Sequence, residues 1–266
     1  MRVLSIDPEP SLRVRYLNAA RRRGVVSSLL PVHLAQVDAL PEGLDAIVVT
    51  SDLQGVIPSH AGGESLLLGE GLAIELLALP ALAQPRRVGV ILAGDLYSAP
   101  GGDVRGASGD VTGVWEAFAE LYAWVAGVAG NHDRFGSEKD ERRLRAVAGV
   151  HRLDDRVDVL DGLRLGGVDL IIGDPAKPGR REAWEFLESV QLLLAEDLDV
   201  LVLHEGPDGE VGERQRGNPE IRALLERAPR PPLTICGHAH WDAPLATLGN
   251  GAQVLNVDAR ALVLTV

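Results

Sequence analysis

The chain has 266 residues, 46% hydrophobic and 24% charged, with a formal net charge of −12. Those proportions belong to a globular protein with a sizeable core and exclude wholesale disorder, collagen and coiled coil. The negative charge excludes a general attraction to long nucleic acid or anionic lipid, but leaves open a small anionic substrate wherever a local cation reverses the field.

Residues 1–10 read as a short strand (3–6) running into Asp7-Pro8, not as a charged leader with an apolar run. A helix is expected over 11–23, with Arg21-Arg22-Arg23 at its end, where cations suit the helix dipole. Residues 1–45 thus read as an added strand–helix–strand unit on a single domain spanning 1–266. A buried strand follows at 46–50. The apolar stretch 66–83 is broken by Glu70, Glu75 and Pro80, whereas a bilayer span needs about 20 apolar residues. Next come a strand at 88–93, a loop at 98–109 rich in Gly and Ser, and a helix over 112–125 with Thr112 as its N-cap. That loop reads equally as a mobile lid or a long turn. An apolar run occupies 124–129. Asp161-Gly162 between short apolar runs marks a hairpin, as does Asn250-Gly251. Helices are expected over 181–195 and 219–227, the second opening with the cap-then-proline order Asn218-Pro219. Strands are expected at 200–203 and 233–236. Parallel βα units mixed with hairpins give an α/β (α+β) architecture of two packed mixed sheets with helices outside.

In such sheets ligands sit beyond the carboxyl ends of the strands. Strand 46–50 ends in Ser51-Asp52-Leu53-Gln54, and strand 88–93 in Gly94-Asp95. The run 124–129 ends in Gly130-Asn131-His132-Asp133. Strand 200–203 ends in His204-Glu205, and strand 233–236 in Gly237-His238-Ala239-His240. Each apolar run delivers a carboxylate, amide or imidazole to one edge. Imidazole nitrogens with carboxylate and amide oxygens suit a divalent transition metal such as Mn, Fe or Zn, and three histidines argue against Mg or Ca. Six or seven such side chains exceed one tetrahedral zinc and suit two ions sharing a carboxylate, held roughly 3.5–4 Å apart. A hydroxide bridging two such ions would be the nucleophile for an in-line phosphoryl displacement.

This ordered set resembles the calcineurin-like metallophosphoesterase superfamily, whose pattern runs D-x-H, G-D-x-x-D/N, G-N-H-D/E, a lone H, then G-H-x-H. The Gly-Asn-His-Asp and Gly-His-x-His pair is the specific part. The resemblance implies a four-layer αββα sandwich. It implies that Asp95 bridges two metals, that Asp52, Gln54 and His240 complete the first site, and that Asn131, His204 and His238 complete the second. His132 would bind the phosphate and protonate the leaving oxygen, with Asp133 orienting it. Two residues depart from the pattern. Gln54 stands where the family has histidine and would weaken the first site and favour a harder ion such as Mn. The D-x-Q form is similar to the Mn-dependent ADP-ribose and CDP-alcohol diphosphatase branch. Ser98 stands at the last position of G-D-x-x-D/N, with Asp103 a candidate substitute.

The expected activity is therefore hydrolysis of a small phosphorylated substrate, nucleotides included, with two divalent ions. A pyrophosphatase acting on nucleoside-diphosphate-linked compounds and a degenerate phosphate- or protein-binding module stand as alternatives. The single cysteine, Cys236, excludes an internal disulfide and suits a reducing cytoplasm. Cys236 itself, and Trp115, Phe118, Tyr122 and Trp124 at helical spacing, read as core. His33, His60 and His151 read as local hydrogen-bonding residues, with His60 within reach of the site. Arg134 reads as a solvated salt-bridge partner. Glu205 and Asp208 read either as groups that orient the metal ligands or as plain loop carboxylates.

Overall fold

The computed structural model describes residues 1–22, 24–58, 65–210 and 214–266; His60 lies outside them. The chain begins with β1 (Val3–Ile6), β2 (Leu12–Ala19), β3 (Val25–Val37), β4 (Ala46–Ser51), β5 (Val56–Ile57) and β6 (Leu66–Leu67). Then α1 (Leu68–Glu75) and three 3₁₀ turns lead to β7 (Val88–Leu92), β8 (Gly109–Asp110) and α2 (Thr112–Leu121). β9 (Trp124–Gly127), β10 (Asp133–Arg134), α3 (Glu138–Arg145) and β11 (Val150–Arg152) follow. The remainder is β12 (Arg156–Leu160), β13 (Leu163–Val168), β14 (Ile171–Ile172), β15 (Arg180–Arg181), α4 (Ala183–Leu194), β16 (Val200–Glu205), α5 (Pro219–Arg227), β17 (Leu233–Gly237), β18 (Leu245–Thr247), β19 (Gln253–Asn256) and β20 (Arg260–Thr265).

Two large mixed sheets form the middle of the molecule. The first runs β11-β9-β7-β4-β20-β3-β2-β5-β6, with β1 beside β3; the second runs β12-β13-β16-β17-β19-β18. The central strands are buried on both faces, and their side chains divide by parity. Val48 of β4 and Val90 of β7 face the core under α1, α2 and α3. Ile47, Val49 and Ile91 face Val200 and Val202 of β16 between the sheets. Leu201 and Leu203 face the third cluster, under α4 and α5. The layers are therefore helix, sheet, sheet, helix, as expected. Burying each of these aliphatic side chains stabilises the fold by about 1.5–3 kcal/mol.

The expected helix over 11–23 is instead β2, paired antiparallel to β3 from Leu12↔Val32 to Ala19↔Val25. Val14 and Tyr16 are buried while Arg13 and Arg15 are exposed, a two-residue alternation. The segment is rich in the helix formers Leu, Arg and Ala, but pairing along the whole of β3 overrides that propensity. Residues 1–45 are thus a strand–strand–strand unit. Arg21 and Arg22 sit in the hairpin turn rather than at a helix end, and Arg23 lies outside the described residues.

Helix α2 stops at Leu121, and Trp124 belongs to β9. Its N-cap is Val111, not Thr112. Asp110 accepts from the Thr112 amide at 2.9 Å and supplies the missing acceptor. Asn218 caps α5 as expected, its Oδ1 accepting from Glu220 at 2.9 Å and Ile221 at 3.3 Å. Asp161-Gly162 closes the β12–β13 hairpin with φ of 50° and 87°, the two positive angles of a type I′ turn. No helix among the described residues is long and apolar enough to cross a membrane.

Candidate metal centre

Parallel strands β4, β7 and β9 end side by side in the first sheet, and β16 and β17 end side by side in the second. Where each chain leaves its strand the backbone turns hard. Asp52, Asp95 and His238 all have left-handed φ, of 53°, 55° and 65°. Non-glycine residues in that region cost energy, and such strain gathers at functional sites. Gly94, with φ 90°, has no room for a side chain: a Cβ there would sit 2.8 Å from Nδ1 of His204. Gly237 is equally closed, because a Cβ would strike Ser51 and Asp52.

Asp95 lies at the centre of the cluster and is buried. Its Oδ1 accepts from the His132 amide at 2.9 Å. Its Oδ2 accepts from Gln54 Nε2 at 3.0 Å and faces His204 Nε2 at 3.3 Å. Donor atoms of Asp95, His204 and His238 all lie within 4.8 Å of one another. His204 is fully buried and shares its Nδ1 hydrogen with the Ala93 carbonyl at 2.7 Å, which leaves Nε2 aimed into the cluster. Metal-ligating histidines are held this way. Neither His204 Nε2 nor the buried Oδ1 of Asn131 has a hydrogen-bond partner. Two buried polar atoms without a hydrogen-bond partner, a carboxylate and a second imidazole make a nitrogen–oxygen donor set that fits a divalent transition ion once His204 gives up its proton.

The electrostatics point the same way. Burial depresses the His204 imidazole, but the facing Asp95 carboxylate overrides this and raises it to about 10. Burial and the charge of Asp258 push Asp52 up to about 8. Burial and His204 bring His238 down to about 4. Burial opposes ionisation of Asp95 as well, but the facing His204 brings it down to about 2, so Asp95 and His204 form a charged pair while Asp52 holds on to its proton.

The β4 side is less complete. Asp52 Oδ2 is engaged by Ser51 Oγ and by the His238 amide at 2.9 Å. Gln54 turns its amide nitrogen, not its oxygen, toward Asp95. His240 is 56% exposed. Its Nδ1 stands 3.4 Å from Asp258 Oδ1, and Arg260 Nη2 lies 3.5 Å and 3.4 Å from its two ring nitrogens. Asp52, Gln54, Asp95, His132, His238 and His240 nevertheless line one cavity of about 810 Å³.

Asp133 does not touch the His132 ring that it was expected to orient. Its carboxylate accepts from three backbone amides, Asp95 at 2.8 Å, Leu96 at 2.7 Å and Gly130 at 2.9 Å, and so ties the β7 and β9 ends together. The ring's partner is Ser108 Oγ, 3.1 Å from Nδ1. Arg134 likewise forms no ion pair among the described residues; it donates to the carbonyls of Asn131 at 3.4 Å and Asp133 at 2.6 Å. Under the β9 end, buried Asp169 pairs with Arg152 and accepts from the Ala129 amide at 3.0 Å.

Of the remaining candidates, Ser98 is buried on the cavity wall and Asp103 is exposed on the loop. Glu205 points away from the cluster, accepting from Ile172 at 2.7 Å and Asn218 at 3.2 Å. Cys236 is core, its thiol pushed up to about 12 by burial. His33 and His151 bond locally, to the Asp7 carbonyl and Asp158. Sequence reading missed Ser108, Asp258 and Arg260. Asp258 was within reach of the same rule, since it follows the buried strand β19.

A sequence model of one family, described as calcineurin-like phosphoesterase, matches residues 46–242, a span that holds every candidate ligand and both candidate catalytic residues. Among solved structures, TT1561 of Thermus thermophilus is 18% identical, with 81% of this chain and 90% of that chain covered at a TM-score of 0.55. The calcineurin-like phosphoesterase YfkN from Bacillus subtilis is 13% identical, with 79% and 80% covered at a TM-score of 0.46. No curated protein matches the sequence. The family match covers most of the chain, and four of the five strand ends that it spans line one cavity: the chain belongs to the calcineurin-like phosphoesterases, metal-dependent enzymes that hydrolyse phosphate esters.

Proposed function

We propose that the chain hydrolyses small organic phosphate esters in line, with two divalent cations, Mn by preference, on the cavity floor. The observation that carries this reading is the pair of buried polar atoms without hydrogen-bond partners, His204 Nε2 and Asn131 Oδ1, the first of them clustered with Asp95 and His238. Asp95, Asn131, His204 and His238 would hold one cation, and Asp52, Gln54 and His240 would hold the other with Asp95. When bound, such cations polarise a phosphoryl oxygen and ionise water at neutral pH.

The chain's own groups position and protonate. The His132 amide fixes its residue to Asp95, and Ser108 holds Nδ1 of the ring. The other ring nitrogen, Nε2, stands 4.0 Å from Asp95 Oδ2 on the cavity side. From there it donates a proton to the departing oxygen, a role worth about 10²–10⁴-fold in rate. Asp133 keeps this geometry through the three amides that it binds.

A nucleoside-diphosphate-linked substrate is the second reading. Gln54 in place of histidine favours it, and so does a cavity of about 810 Å³, far larger than one phosphate group. In both readings residues 1–266 act as one domain, because β3 lies between β20 and β2. The net charge of −12 disfavours long nucleic acid. The single buried cysteine suits a cytoplasmic setting.

The test is elemental analysis of the purified protein together with hydrolysis of an aryl phosphodiester in added Mn. About two cations per chain and Mn-stimulated turnover are expected. No hydrolysis after Mn loading overturns the reading and leaves a binding module.

A further inference from the structure

The hairpin β2–β3 lies outside the matched span 46–242, yet it walls the cavity. Side chains alternate along β2, so Val14, Tyr16 and Asn18 share a face. Val14 and Tyr16 fill the first-sheet core. Beyond Tyr16 that face opens onto the cavity, which Asn18, Arg21 and Val26 line. The turn is closed by the Ala20 amide on the Gly24 carbonyl at 2.9 Å, with Gly24 at φ 93°.

The facing wall is the loop between β7 and β8. Gly106 lies against the His132 ring, where a Cβ would come within 3.4 Å of Cε1, and Ser108 bonds that ring. Arg105 precedes them and also lines the cavity. The loop is seated on the hairpin as well: at Gly102 a Cβ would meet the Leu17 carbonyl at 3.1 Å. Hairpin and loop therefore form one rim.

The charges on floor and rim have opposite sign. Asp52, Asp95 and Asp258 line the floor, while Arg21 and Arg105 are the two arginines of the lining. Both are exposed, and neither forms an ion pair among the described residues. Guanidinium groups match phosphate oxygens in a fork, and each such bond is charge-assisted. The volume, about 810 Å³, leaves room for a ligand that reaches from floor to rim.

We propose that Arg21 and Arg105 clamp a second phosphate of the substrate, one that is not cleaved, and so select phosphate esters carrying two phosphates over those carrying one. The proposal rests on the phosphoesterase reading above. It makes the N-terminal hairpin the specificity element of the enzyme.

The test uses two aryl phosphodiesters in added Mn, one whose second arm ends in a phosphate and one whose arm ends in a neutral alcohol. They are compared on the wild type, Arg21→Gln, Arg105→Gln and the double variant, with metal content and thermal midpoint followed in each. The wild type should prefer the phosphate-tailed ester in kcat/KM by about tenfold or more, the scale of a charge-assisted contact. Each substitution should erode that preference through KM rather than kcat, and the double variant should abolish it. Loss of equal size on both esters, or a preference that survives the double substitution, overturns the clamp. Should the wild type hydrolyse neither ester, the phosphoesterase reading falls, and equilibrium binding of the same two compounds decides the clamp separately. Tighter binding of the phosphate-tailed compound that needs both arginines supports it; equal binding of the two refutes it.

Discussion

On the side of β7, β9, β16 and β17, buried Asp95, Asn131 and His204 turn their donor atoms inward toward His238, and two of those atoms have no hydrogen-bond partner. On the side of β4, Asp52 is occupied by a hydroxyl and an amide, Gln54 presents a donor, and His240 is over half exposed beside a guanidinium. The first half is pre-organised for a cation. To hold the second proposed cation the β4 half must reorganise: Gln54 has to rotate its amide, and His240 has to leave Arg260. A ligand set that must rearrange gives up binding free energy to do so. The two proposed cation sites should accordingly differ in affinity, with the weaker one at Gln54.

The largest effect should come from the residue that both halves share. Asp95→Asn is expected to lower kcat by about 10⁴-fold and to empty both sites in elemental analysis. Retention of one tightly held cation would show instead that the halves are independent. Next comes His132→Ala, with turnover down by about 10²–10³-fold and metal content unchanged. Turnover within a few-fold of the wild type would remove His132 from the proton-donor role.

The asymmetry itself is read by dialysis against a weak chelator followed by metal analysis. One cation per chain should remain in the wild type. His204→Ala should lose it, whereas His240→Ala should keep it. Gln54→His should raise retention toward two, a gain of about tenfold in the weaker constant. If His240→Ala strips the protein and His204→Ala does not, the order of the halves is reversed. The smallest effect is Ser108→Ala. One hydrogen bond of about 0.5–1.5 kcal/mol predicts a drop in kcat of about 3–10-fold, with metal content and KM steady. A change confined to KM would assign Ser108 to substrate binding.

The five strand ends were legible because their strands are buried on both faces and read as short apolar runs, each followed by a polar residue. Ala46–Ser51 and Val200–Glu205 are of this kind. The segment 11–23 was not legible as a strand. Its residues favour a helix locally, and pairing with Val25–Val37, from Ala19↔Val25 to Leu12↔Val32, makes it extended. The candidate ligands were legible by type and order, but the geometry that holds them was not. Nothing in D-x-Q states which amide atom faces Asp95. The partner of His132 lies 24 positions away in an irregular loop, where no period marks it. The carboxylate of Asp133, beside His132 in sequence, invited a pairing that the backbone amides took instead.

Strand β20 lies between β3 and β4, parallel to the one and antiparallel to the other. Until residues 260–265 have been synthesised, the hairpin and the β4–β7–β9 half of the sheet have no shared edge to zip along. The contacts that β20 closes, such as Leu262 with His33 and Val49, span more than 200 residues, so they carry a high loop-closure entropy and form late. A nascent chain lacking this strand would expose the long edges of β3 and β4, both rich in Val and Ile or Leu, to other chains. Completion of the cavity rim and burial of those edges are therefore one event, the docking of β20.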